Sequence, residues 1–179
     1  MKLHGKVLRG RGVKVLLWRR GDGGEHEVTV TALPLGFGVW LRQKGIVQPE
    51  VPVRVARDAQ GKPMRDASGQ AVVREDRSDA SYVASVEQYQ QRLAMLVLWQ
   101  GLKDDPQVSW ETVEPAVDGD WVAFADQLFE ELEQAGVTMG EVVWLCEEIT
   151  NFTNQVTLRV EETRADFFPA ESCRSSGSG

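Results

Sequence analysis

The sequence predicts an α+β chain: a small antiparallel β unit at the N-terminus, a projecting hairpin-like arm, and then a mainly helical region of about three helices. Three observations carry this. Valine–threonine alternation in "EHEVTVT" (25–31) gives the period of a half-buried strand. Two phrases eight residues apart, Arg57-Asp58-Ala59-Gln60-Gly61 and Arg65-Asp66-Ala67-Ser68-Gly69, are turn-forming and polar. From Asp79 onward apolar residues step by three and four, as on one face of a helix.

The β unit occupies residues 1–45. "VKVLLWRR" and "EHEVTVTALPL" flank "GDGG", whose residues tolerate positive φ, so they are expected to pair as a hairpin. "KVLR" before Gly10 is expected to add a third strand. "GFGVWLRQKG" (36–45) is read as a short helix covering the apolar face with Val39, Trp40 and Leu41.

Residues 46–78 form the arm. Each repeat phrase has Asp at the first and Gly at the fourth position of a type I turn. The two turns are expected to fold the segment into a short three-strand meander. Its apolar content is low, and such ribbons are marginal alone. A plain polar linker is the alternative reading.

Residues 79–165 form the helical domain. Asp79 is an N-cap candidate, followed by the stripe Tyr82, Val86, Tyr89, Leu93 and Leu96. Gly101 with Leu102 behind it suggests a C-terminal glycine cap. The next helix is expected to begin near Asp118 or Asp120, to present Trp121, Ala125, Leu128 and Leu132, and to stop at Gly136 before Val137. Thr138 and Glu141 form a capping box for a last helix with the stripe Val142, Leu145, Ile149 and Phe152. Beyond Asn151 helix is favoured over strand, and 166–179 reads as a flexible tail.

The charge is unevenly spread. Residues 1–20 hold seven Lys and Arg and no acid, whereas 104–158 hold thirteen Asp and Glu and no Lys or Arg. Either the two ends present surfaces with different tasks, or the cations meet the acidic half within the fold. No run reaches the ~20 apolar residues of a membrane span, and the start lacks an apolar signal core. Cys146 and Cys173 lie in unlike contexts, which argues against a disulfide and for a reducing compartment.

No catalytic, metal or cofactor constellation emerges. His4 and His26 lie on different β segments with no partner fixed. Cys146 has no neighbouring base to activate it. "KDDP" and "DGD" do not continue into a calcium loop, and "GRG" and "GDGG" lack phosphate-loop spacing. Six tryptophans are the more telling feature. A small helical unit is not expected to bury Trp99, Trp121, Phe129, Trp144 and Phe152 on one side, so these five are the candidate partner-binding residues. An acidic surface with aromatic anchors suits a basic amphipathic helix.

The helical half, "SYVASVEQYQQRLAMLVLWQGLKDDPQVSWE" followed by "DWVAFADQLFEELEQAGVTMGEVVWLCEEI", resembles tail assembly chaperones of long-tailed bacteriophages over roughly residues 45–150. The shared features are a "QGL" helix end, the "DPQVSWE" loop and a compact acidic helix pair. The polar insert before them is also of the kind such proteins carry. The resemblance implies a non-enzymatic protein of the host bacterial cytoplasm that binds the helical tape-measure protein during tail assembly, with tail-tube proteins and a homo-oligomer as further partners. It does not account for the basic β N-terminus. A second expectation is therefore an accessory protein that contacts nucleic acid through that region.

Overall fold

The computed structural model describes residues 2–3, 6–7, 11–21 and 23–167, with backbone alone at 2–3, 6–7 and 155–167. The fold is mixed α+β. Its elements are β1 (Lys2–Leu3), β2 (Lys6–Val7), β3 (Val13–Arg19), β4 (Glu25–Thr31), α1 (Phe37–Gln43), β5 (Val53–Val55), β6 (Val73–Glu75), α2 (Ala80–Leu102), α3 (Trp121–Gln134) and α4 (Met139–Phe167). The strands pair as three two-stranded antiparallel sheets, β1–β2, β3–β4 and β5–β6. The chain divides into two compact units built from interleaved stretches. One takes the described parts of Met1–Leu35, Leu98–Ser109 and Thr138–Gly179, the other Gly36–Val97 and Trp110–Val137.

In the first unit the β3–β4 hairpin forms as expected, Leu16 lying opposite Val28 and Lys14 opposite Val30. "KVLR" does not extend it, because Lys6–Val7 pairs with Lys2–Leu3 in a separate sheet. Leu16, Val28 and Val30 are buried, as are Leu98, Trp99 and Leu102 of α2 and Val142, Leu145 and Ile149 of α4. Burying each large aliphatic side chain is worth about 1.5–3 kcal/mol, which makes this set the unit's main source of stability.

Gly101 departs from expectation. It lies inside α2 and does not cap it. A Cβ there would fall 2.5 Å from Ile149 Cδ1 and 3.0 Å from Cγ1. Glycine is therefore required by close helix packing, and the backbone needs no left-handed residue. The expected caps do form elsewhere. Thr138 donates its backbone N–H to Glu141 Oε2 at 2.6 Å, and Glu141 N–H reaches back to Thr138 Oγ1 at 3.3 Å. The expected helix beyond Asn151 is also present, α4 running to Phe167. The tail expected at its end lies mostly outside the described residues.

The second unit holds α1, the arm, α3 and most of α2. Helix α1 forms, but Val39 is exposed and Trp40 packs against α3. The Trp40 and Trp121 rings meet edge-to-face at 4.8 Å, with Phe37 stacked on Trp40 and Phe124 edge-on to Trp121. Asp120 caps α3, accepting from Val122 and Ala123 N–H. Gly136, at φ 70°, ends that helix in a left-handed turn, and Val137 N–H bonds the Leu132 carbonyl. The Tyr82, Val86, Tyr89, Leu93 stripe of α2 is half-buried and Leu96 fully buried.

The arm is hairpin-like but is not a three-strand meander. β5 pairs directly with β6, Val55 opposite Val73. Above them Ala56, Met64 and Val72, eight residues apart, close a triangle of backbone bonds. Ala56 N–H donates to Val72, Val72 N–H to Met64 and Met64 N–H to Ala56, at 2.7, 2.9 and 2.8 Å. Each repeat phrase then folds back on itself as a small leaf. Asp58 Oδ1 accepts from the Gln60 and Lys62 amides, and Asp66 Oδ1 from those of Ser68 and Gln70. Arg57 bonds the Gly61 carbonyl as Arg65 bonds that of Gly69. Because each leaf satisfies its own polar groups, neither needs the other as a sheet neighbour.

Two outcomes follow from these packings. Deleting residues 57–64 would leave Ala56 to supply the carbonyl that Met64 gave to Val72, closing an ordinary hairpin; the deletion should shift the melting temperature by only about 2–4 °C, equivalent to about 1 kcal/mol. Loss of cooperative melting would contradict the leaf arrangement. Gly101→Ala should destabilise by about 1–2 kcal/mol in urea titration, since overpacking outweighs the helix propensity gained. Adding Ile149→Val, which removes Cδ1, should recover part of that loss.

Candidate protein-docking surfaces

The charge asymmetry is answered inside the first unit. Arg11 pairs with Asp104 at 3.0 Å, Lys14 with Glu148 at 2.7 Å, Arg19 with Glu25 at 2.8 Å, and Arg20 lies 4.0 Å from Glu141. Each described cation of residues 11–20 thus has a carboxylate beside it. Three of the four acids come from the long acidic stretch, so β3 and the helical segments of its unit attract one another. His4 and Cys173 lie outside the described residues, while His26 is exposed on β4 opposite Trp18.

Of the five aromatic residues singled out from the sequence, two are core. Trp99 and Trp121 are buried, and each also carries a lysine ammonium over its ring, Lys103 at 4.4 Å and Lys44 at 5.0 Å. Phe129, Trp144 and Phe152 are half-buried. Trp99, Trp144 and Phe152 belong to one unit and Trp121 and Phe129 to the other, so each unit brings together only part of the set. Trp144 lines an open hollow of about 450 Å³ with Leu17 and Arg19. No local sequence signal links Trp144 to β3; only the tertiary fold does so.

In the second unit, Glu111, Thr112, Gln127, Glu130, Glu131 and Gln134 line a shallow depression of about 250 Å³. Glu131 already serves the fold, its carboxylate accepting from the Glu111 and Thr112 amides at 2.8 and 2.9 Å. Burial pushes its pKa up, and these bonds, with the Thr112 hydroxyl, outweigh burial and bring it below the ordinary value. Asp126 is likewise engaged, gripping Arg92 through two 2.8 Å bonds. Glu130 and Glu133 are exposed on the same helix.

Burial raises the Cys146 thiol to about 11, which suits a packed side chain and leaves it protonated at neutral pH. Among the described residues no cluster of three His, Cys, Asp or Glu could hold a metal ion. No helix among them is long and apolar enough to cross a membrane. Comparison with family models, curated proteins and solved structures returns no match to the chain.

The helix caps set a pH dependence. Asp79 is held down at about 2 by the Ser81 hydroxyl, the Tyr82 amide and the Arg54 guanidinium, below an ordinary 3.8. A depressed carboxylate stabilises the fold above its unfolded pKa and loses that effect as pH falls through its folded one. The stability difference between the parent and Asp79→Ala should therefore be constant above about pH 5 and shrink as pH falls from about 4 to about 2. Urea midpoints at stepped pH would show it; a gap unchanged by acid would contradict the assignment.

Proposed function

We propose that the chain is a non-enzymatic assembly factor of the phage tail-assembly-chaperone kind, acting in the host bacterial cytoplasm on a helical, tape-measure-like protein. The observation that carries this reading is where the charge is spent. The described basic residues of the N-terminal unit are matched by carboxylates, which weakens the case for a nucleic-acid surface there. The α3 depression retains acidic side chains, and none of the described residues that line it is basic. Such a surface suits the basic face of an amphipathic helix. The resemblance of residues 45–150 to tail assembly chaperones supplies the identity of that helix's owner. Tail-tube proteins and further copies of the chain are the other partners this role would bring.

The test is co-expression with a long helical tape-measure protein of a long-tailed phage. The partner should become soluble and co-purify at moderate salt. Reversing Glu111 and Glu130 together to Lys should weaken capture about tenfold or more while leaving the circular dichroism unchanged, because both line the depression and are exposed. Trp121→Ala should lose the fold itself, since that ring is buried among Trp40 and Phe124. Tight, steeply salt-dependent binding of duplex DNA, with the helical partner left insoluble, would overturn the proposal.

A further inference from the structure

The two edges of the β3–β4 ribbon are treated differently. The Gly12–Ala32 and Arg20–Gly24 bonds at its ends fix the even-numbered residues of β3 as those bonded to β4. Val13, Val15, Leu17 and Arg19 therefore turn their backbone N–H and C=O groups away from β4. Beyond β4 two outward amides are taken up by side chains: Thr29 N–H donates to the buried carboxylate of Asp105, and Leu33 N–H, just past the strand, to Thr153 Oγ1 at 3.0 Å. Along β3 no such bond exists among the described residues.

The side chains of the same four residues make this edge unusual. Val13 is 65% exposed, Val15 62% and Leu17 44%, so an apolar stripe runs beside the open backbone. Soluble proteins usually blunt such an edge with charge, proline or a bulge. Here the stripe ends in Arg19, and Leu17 and Arg19 share the hollow with Trp144. An open edge gives a strand its main-chain bonds, and a neighbouring hollow gives it side-chain specificity.

We propose that the free edge of β3, with the hollow beside Trp144, docks an extended, acid-bearing strand of a partner protein. Charge selects this occupant over a second copy of the chain. Antiparallel pairing of two β3 edges joins odd-numbered residues, so each register sets Arg19 against Val13, Val15, Leu17 or another Arg19. None offers a carboxylate. Arg19 is largely exposed and shares only the surface pair with Glu25, which is weak enough to accept a second acid. The matching strand places an acid opposite Arg19 and apolar residues opposite Leu17, Val15 and Val13. This surface shares no residue with the acidic depression of α3 and stands whether or not that depression binds a helix.

The test uses the full chain and the peptide acetyl-Glu-Thr-Val-Thr-Val-Thr-Val-amide, followed by amide NMR. Saturable shifts are expected at Val13, Val15, Leu17 and Arg19 and at the Trp144 indole. Lys in place of the peptide's Glu should weaken binding about fivefold. Val15→Pro removes an outward N–H and spares the β4 ladder, so binding should fall about tenfold or more with the dichroism unchanged. If that variant misfolds, Leu17→Lys serves in its place, with the same loss expected. Unmoved amides at saturating peptide, or full binding by either folded variant, would overturn the proposal. Concentration-dependent shifts of these amides without peptide would also overturn it, assigning the edge to a second copy.

Discussion

A ribbon of two strands cannot bury a face and satisfy its edges by itself, and the first unit is organised around that deficit. The inner face carries Leu16, Val28 and Val30 into the core, where α2 and α4 supply the opposing apolar residues. Two amides on the outer side of β4, those of Thr29 and Leu33, are met by side chains rather than by a third strand. Asp105 sits just past the end of α2 and Thr153 lies on α4, so the same segments that cover the face also meet those amides. Close approach of those two helices in turn needs the missing Cβ of Gly101 against Ile149.

This arrangement also decides what the charge asymmetry means. Opposite charges concentrated at distant points of the sequence are brought together as Arg11–Asp104 and Lys14–Glu148. Part-exposed pairs of this kind add little individually, so their effect is chiefly on orientation: a basic ribbon is drawn to an acidic segment of its own unit. Among the described residues the cations of 11–20 are thus each set beside a carboxylate. Glu130 and Glu133 on α3 stay exposed, and among the described residues nothing bonds the outward amides of Val13, Val15 and Leu17.

Local chemistry was legible in the sequence and contact chemistry was not. The Asp79, Asp120 and Thr138–Glu141 caps and the Gly136 stop could be read directly, because a cap is made by residues within a few positions of each other. Gly101 looked like another stop because the reason for it lies forty-eight residues away, at Ile149. The arm's turns were readable from their Asp and Gly, yet the triangle of Ala56, Met64 and Val72 was not, since three apolar residues at a spacing of eight carry no known local signature. Trp99 and Trp121 were indistinguishable in sequence from the half-buried Trp144; only the fold shows that α1 brings Trp40 to Trp121. The hollow beside Trp144 depends on an α4–β3 juxtaposition that no spacing encodes.

The central claim is that side chains meet outward amides of this ribbon along β4 and, among the described residues, none along β3; amide hydrogen exchange of the full chain tests it residue by residue. Thr29, bound to Asp105, should be protected together with the ladder amides of Lys14, Leu16 and Trp18, while Val13, Val15 and Leu17 exchange far faster. Protection of those three odd-numbered amides in the isolated protein, or rapid exchange at Thr29, would contradict the account.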